Sequence, residues 1–356
     1  MKFFKIVFIL STFIALQGKM YAQNNCPQTL KKAQDTYDEG RISEVPDLLE
    51  GCLKNKDGFT KVERIDAYKL LTLTWLYFNE RTKAEESMHN FLVLNPEYEI
   101  NEALDPTEFV NLYNSFRTSP VLIYGFKLGL NGQDINVLKN FSVDNSAVSR
   151  GKYKSILGKQ IGVCFEIPIN KRLSLLTEFN ITGKSYKYSD EILGFAKVDF
   201  QEKQTLAEVP LLLHINLSKK RFMPYVNFGA IFGYLISAKA VVTRKDEVDG
   251  TSQDVPGPEQ KIAPLRHKLM YNASIGAGFK LKNVISNGYI LVDLRYNFGL
   301  RNIVNPANRT SNTELIYNYL YIDNDFTMNS LVFSVGYALP KYKPKIKKIA
   351  KGEEIK

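Results

Sequence analysis

The chain has 356 residues, 44% hydrophobic and 12% aromatic, with 47 Lys plus Arg against 37 Asp plus Glu for a formal charge of +10. That apolar content, with 14 Pro and 22 Gly, excludes wholesale disorder and a fibrous repeat, and no apolar run after the first residues approaches the roughly 18 that a spanning helix needs. The charge first suggests nucleic acid, but it is split: residues 23–119 carry a net −6, residues 120–340 a net +8, and those from Lys341 onward a net +5.

Lys2 and Lys5, the apolar stretch Ile6 to Leu16, and then Met20-Tyr21-Ala22-Gln23 follow the order of a secretory signal peptide, read as residues 1–22. An exported chain meets an oxidising compartment, so Cys26 and Cys52 are candidates for a disulfide, with two buried thiols as the alternative. Cys164 stands apart on an expected strand.

Apolar residues then recur at helical spacing: Ala67, Leu70, Leu71, Thr74, Trp75 and Phe78 share one face. Thr60 with Glu63 and Thr82 with Glu85 fit capping boxes, and Asp105-Pro106-Thr107-Glu108 orders an N-cap acid, an N1 proline and an N3 glutamate. The spacing predicts helices over 28–39, 44–55, 61–79, 83–94 and 106–117, within a helical domain spanning 23–119. His89 is isolated, and no clustered ligand spacing for a metal accompanies it.

After Pro120 the period becomes two. Strands are expected around 122–130, 160–167, 173–182, 208–217, 226–237, 271–280, 290–300 and 330–339, each with one apolar face and one of Gly, Ser, Asn and charge. In the seventh, Ile290, Val292, Leu294, Tyr296 and Phe298 alternate with Asp293, Arg295, Asn297 and Gly299. Short links near 168–172, 218–224 and 282–288 alternate with long ones near 131–153, 187–203, 239–266 and 301–326. This pattern predicts an α+β chain, helices followed by an eight-stranded antiparallel transmembrane β-barrel over 120–340 in an outer membrane. A soluble sandwich is the alternative. An even strand count puts the helical domain and a basic tail, 341–356, on the periplasmic side.

The interior of so narrow a barrel is filled by side chains. Lys127, Glu166, Glu178, Glu208, His214, Lys280, Asp293 and Arg295 carry inward parity and are expected to form a lumen ion network. A barrel-embedded hydrolase would rest on His214 with Glu208 or Glu178, but no nucleophile motif accompanies them, so neither enzymatic activity, catalytic residue, metal nor cofactor is expected. Tyr153, Tyr186, Tyr188 and Tyr234 toward the outer ends, and Phe222, Tyr225 and Tyr289 toward the inner ends, are expected in interfacial girdles. Thr243 to Pro264 reads as a mobile surface loop, and Lys171-Arg172 and Lys219-Lys220-Arg221 as basic periplasmic turns.

Residues 120–340 resemble the PorT-like family of small outer-membrane barrels through Gly-rich alternating strands such as Asn272-Ala273-Ser274-Ile275-Gly276-Ala277-Gly278 and Asp293-Leu294-Arg295-Tyr296-Asn297-Phe298-Gly299. Trp75, Phe78, Ala84, Met88, Phe91 and Pro96 resemble a tetratricopeptide-type hairpin, although any small helical bundle shares that periodicity. The resemblances imply a non-enzymatic anchor in a type IX secretion or envelope-assembly complex, in contact with outer-membrane lipid and partner proteins but not nucleic acid. Trp75 and Phe78 are candidate partner-docking residues, with a core role as the alternative. The competing class is a small transport or channel protein with a helical plug or gate.

Overall fold

The structure, a computed structural model, describes residues 26–144, 151–170, 172–218, 221–248, 250–284 and 287–347. The expected signal peptide, Lys171, Lys219, Lys220 and the tail beyond Lys347 lie outside them. Two compact units divide the chain: residues up to Thr118 together with those from Tyr342, and Ser119–Lys341.

The first unit contains α1 (Cys26–Asp38), α2 (Val45–Lys54), α3 (Lys61–Tyr77), α4 (Arg81–Leu94) and α5 (Thr107–Ser115). One apolar core joins Leu30, Leu49, Phe59 and Leu70 from the first three helices, and a second joins Met88, Phe91, Phe109 and Leu112 from the last two. Thr60 caps α3 as its sequence predicts, its hydroxyl accepting from the Glu63 N–H while Glu63 accepts from the Thr60 N–H. Two expected caps differ. Thr82 lies inside α4, and Pro106 itself occupies the N-cap of α5.

Asp105 is instead drawn into a tertiary cluster, accepting from Lys69 at 2.8 Å, from the Tyr98 hydroxyl at 2.9 Å and from the Asn101 N–H at 3.0 Å. Burial alone would raise its carboxyl, but these donors hold it below the usual carboxylate range. Residues 342–347, the start of the segment read as a basic tail, also pack in this unit. The Arg117 N–H donates to the Lys345 carbonyl, the Lys347 N–H to the Ser115 carbonyl, and Tyr342 to Glu97.

The second unit is a closed antiparallel barrel. Its strands are β1 (Leu122–Lys139), β2 with β3 (Lys152–Ile156, Gly158–Pro168), β4 (Leu173–Ile192), β5 (Ala196–Asn216), β6 (Phe222–Val248), β9 (Leu269–Lys282), β10 (Tyr289–Gly299) and β11 (Asp325–Lys341). The short strands β7 (Thr251–Pro256) and β8 (Gln260–Lys261) pair along β6. Pairing of β4 with β5 and of β1 with β11 closes the ring of main strands, while β2, β7 and β8 are each paired along one side.

Four strands run far beyond their expected ends, and the first of them, β1, continues to Lys139 through part of the link expected near 131–153. β4 and β5 continue through 183–207 to a tight link at Leu193-Gly194-Phe195, where Leu193 and Gly194 have positive φ, and β6 continues to Val248. The segments expected as a loop near 187–203 and as a mobile loop over Thr243–Pro264 are therefore largely sheet. The cause is an inversion of polarity. Toward the short-turn end the outward residues are apolar, such as Leu175, Phe179, Ile181, Leu211 and Leu213, whereas farther along they are Ser185, Lys187, Lys203 and Gln201. The inward face changes the opposite way, from Glu178 and Asn180 to Tyr186 and Tyr188 on β4, and from His214 and Glu208 to Phe200 and Val198 on β5. On β6 a bulge opposite Thr205/Leu206 shifts the parity, so inward residues pass from Ile231, Gly233 and Leu235 to Ala238, Ala240 and Val242.

Cys26 and Cys52 are joined by a disulfide, with Cα atoms 5.7 Å apart and a sequence separation of 26. Replacing both by Ser is expected to cost about 3 kcal/mol of helical-unit stability by the loop-entropy relation, measured as the 222 nm melting transition of the full chain.

Candidate functional site

The barrel interior holds all eight residues assigned to it from parity, each 5% exposed or less. They lie between two apolar clusters. At the short-turn end Ile123, Leu176, Leu212, Tyr289 and Leu291 pack together with the buried thiol of Cys164. At the long-loop end Tyr186, Tyr188, Phe200, Tyr321 and Phe326 form the centre of a larger core.

Between these clusters, Glu178 organises the network. Its carboxylate accepts from Arg295 at 2.6 and 3.0 Å in a bidentate fork, from Lys127 at 2.9 Å and from Asn180 at 3.0 Å. Asp293 pairs with Arg295 at 2.6 Å and accepts from Tyr225 and Asn227. Nearer the short-turn end Lys280 donates to both oxygens of Glu166 at 2.6 and 2.7 Å. On the other side Glu208 pairs with Lys184 at 2.8 Å and accepts from Thr182. Parity alone marks Lys184 as inward, since it follows Glu178, Asn180 and Thr182 at steps of two.

His214 does not join Glu178 or Glu208 in a dyad. Its ring lies on Tyr225 with centroids 4.0 Å apart, beside a small cavity that Cys164, Glu166 and Lys280 also line.

A second ionic centre lies in the long-loop core, beyond the apolar outer belt. Arg266 is fully enclosed and makes two bidentate contacts, to Glu202 at 2.6 and 3.0 Å and to Asp323 at 2.7 and 2.8 Å. Burial alone would lower the guanidinium, but Asp323 and Glu202 hold it well above its ordinary value. Tyr321 donates to Asp323 and stacks on Phe200 at 4.0 Å. Glu202, within the link expected near 187–203, keeps the inward parity of Glu208 on β5, whereas Arg266 and Asp323 sit in connections, where no strand period reveals which way a side chain points.

The girdle assignment needs correction. Tyr186, Tyr188, Tyr225 and Tyr289 are 3% exposed or less and face inward, while Tyr153 packs against the long-loop core. Their parity matches the inward charges, so position near a strand end does not override the two-residue period. Tyr234 and Phe222 do face outward, 48% and 51% exposed. Elsewhere, His89 is exposed and His267 contacts Arg301. Trp75 packs against both helical cores with Lys83 over its ring at 4.5 Å, and Phe78 is 40% exposed beside Tyr77. These two do not share one surface role.

A closed eight-stranded sheet with an apolar exterior belt and an ion-paired interior defines a transmembrane β-barrel. The model of the outer membrane protein beta-barrel domain matches residues 119–305, just over half of the chain, and the chain belongs to that family. The protein is an outer-membrane β-barrel protein. Comparison with curated proteins gives no match. Among solved structures it is similar to Neisserial surface protein A, at 13% identity over 61% of this chain and 96% of that one, with a TM-score of 0.27. It is also similar to OprG from Pseudomonas aeruginosa, at 11% identity over 62% and 95%, with a TM-score of 0.31. At these identities nothing about activity carries over.

Glu178→Gln leaves Arg295 and Lys127 short of a counter-charge and is expected to cost about 3–5 kcal/mol, read from urea unfolding in lipid vesicles. Arg266→Met leaves Glu202 and Asp323 facing each other, and is expected to expose residues 301–324 to protease while the barrel keeps its heat-dependent gel mobility.

Proposed function

We propose that the protein is a non-enzymatic outer-membrane anchor of the PorT-like kind, holding a periplasmic tetratricopeptide-like helical domain that docks proteins of a secretion or assembly complex. The observation that carries this reading is the filled lumen. An ion-paired layer lies between two apolar clusters, so a solute would have to break buried ion pairs and part a packed core to cross. A small channel gated by the helical domain is correspondingly disfavoured.

The same filling argues against catalysis at His214, because a substrate would need access to a side chain that is 2% exposed behind paired charges. Orientation follows from the loops. Measured from the apolar belt, only short turns lie at one end while the strands and connections run far beyond it at the other, as at the periplasmic and outer ends of bacterial barrels. Leu122 pairs with Lys341 at the short-turn end, so both connections to the helical unit leave there. The exposed Tyr77 and Phe78 at the end of α3 offer an aromatic contact for a partner, whereas Trp75 supports the domain from within.

The test has two parts. Detergent-solubilised full-length protein is expected to bring down a stoichiometric partner that is lost when residues 23–119 are removed, and planar bilayers containing the protein are expected to show no conductance above background. Steady single-channel steps, or no stoichiometric partner, would sink the anchor reading.

A further inference from the structure

The outward face of the barrel carries an arrangement that the sheet itself disfavours. On β5, β6 and β8, Lys203 lies directly opposite Lys239, and Lys239 directly opposite Lys261. One step farther from the apolar belt, Lys154 of β2 lies opposite Lys187 of β4. Like charges directly opposite one another destabilise a strand pair, so a row of three is tolerated only where counter-charge is supplied.

The chain supplies part of it. Lys239 pairs with Glu259 at 2.6 Å, and Lys187 with Asp199 at 3.1 Å. Lys203, Lys261 and Lys154 have no ion pair among the described residues, and all three are exposed. A fourth opposed pair makes the contrast: Lys197 and Lys245, at the far end of the same strands, share Glu247 between them. Glu259 also lies near Lys203 and Asp199 near Lys154, so the row of three lysines shares the carboxylate of Glu259 where Lys197 and Lys245 share one between two.

Their height identifies the counter-ion. The continuous outward apolar run ends at Ile181 on β4, Ala207 on β5 and Ile236 on β6, with Val241 the one outward apolar residue of β6 level with Gln201 beyond the lysine row. Lys203 lies four residues beyond Ala207, about 13 Å along the strand, and less along the membrane normal because strands tilt. Thr205 and Ser237 fill the intervening level. This is the depth of lipid headgroups, where a lysine rests its stem on apolar surface and extends its ammonium toward phosphate. We propose that Lys203, Lys239 and Lys261, flanked by Lys154 and Lys187, form a binding face for the phosphate groups of a phosphorylated glycolipid packed against the barrel's long-loop rim. The inference rests on the barrel spanning the outer membrane and not on the anchor reading.

The probe is bis-phosphorylated lipid A in detergent micelles, titrated against full-length protein at low ionic strength, with dephosphorylated lipid A and inorganic phosphate as separate arms. At about fivefold per lysine near a charged surface, the triple variant K203Q/K239Q/K261Q is expected to bind on the order of a hundredfold more weakly. K197Q/K245Q is expected to bind like the wild type. Retained heat-dependent gel mobility reports folding. Should the triple variant not fold, K203Q and K261Q singly are each expected to lose about fivefold. Undiminished binding by these variants, equal affinity for dephosphorylated lipid, or full competition by equimolar inorganic phosphate would each overturn the proposal.

Discussion

Inside a bilayer no water is available to the backbone, so every N–H and C=O must find its partner within the chain. The rest of this barrel follows from that constraint. It forces the sheet to close through the β4–β5 and β1–β11 pairings, and closing only eight strands leaves an interior that side chains can fill. The outward face must then be apolar, so polar side chains are pushed inside, where they must satisfy one another. Glu178, with a bidentate guanidinium, an ammonium and an amide on one carboxylate, is the outcome.

Beyond the belt the solvent changes and the same strands reverse their faces. β4 and β5 keep their parity while the residue types on each side exchange, and β6 uses a bulge at the same level. The result is a closed barrel turned outward to lipid whose strands run on into a second, sheet-lined region built like a soluble core around Phe200 and Tyr321. The residues around Ile303, Leu315 and Tyr321, between β10 and β11, pack into that upper core and help to close it.

Much of this was legible in sequence. The change of period after Pro120, the strand count and the eight lumen residues all follow from alternation, because a strand's faces are fixed by parity. The extensions of β4 and β5 are hidden because the apolar residues change parity there, crossing to the inward face at residues such as Tyr186 and Phe200, and that of β6 because a bulge breaks its period. Tyr225 and Tyr289 were misplaced by their nearness to strand ends, although their parity already set them beside Asp293. Asp105 has an N-cap's sequence context, yet Lys69 and Tyr98, remote in the chain, bind its carboxylate in the fold. Short-range patterns do not report such competition. Arg266 and Asp323 were hidden for a related reason: both lie in connecting segments without a period.

The segment from Tyr342 to Lys347 pairs beside Phe116, so the helical unit is closed by the part of the chain that follows the barrel. Synthesis runs from the N-terminus, and the whole of β1 to β11 is made between α5 and this strap. The unit that begins first therefore ends last. Its final hydrogen bonds, from Arg117 to Lys345 and from Lys347 to Ser115, become possible only after every barrel strand has been synthesised.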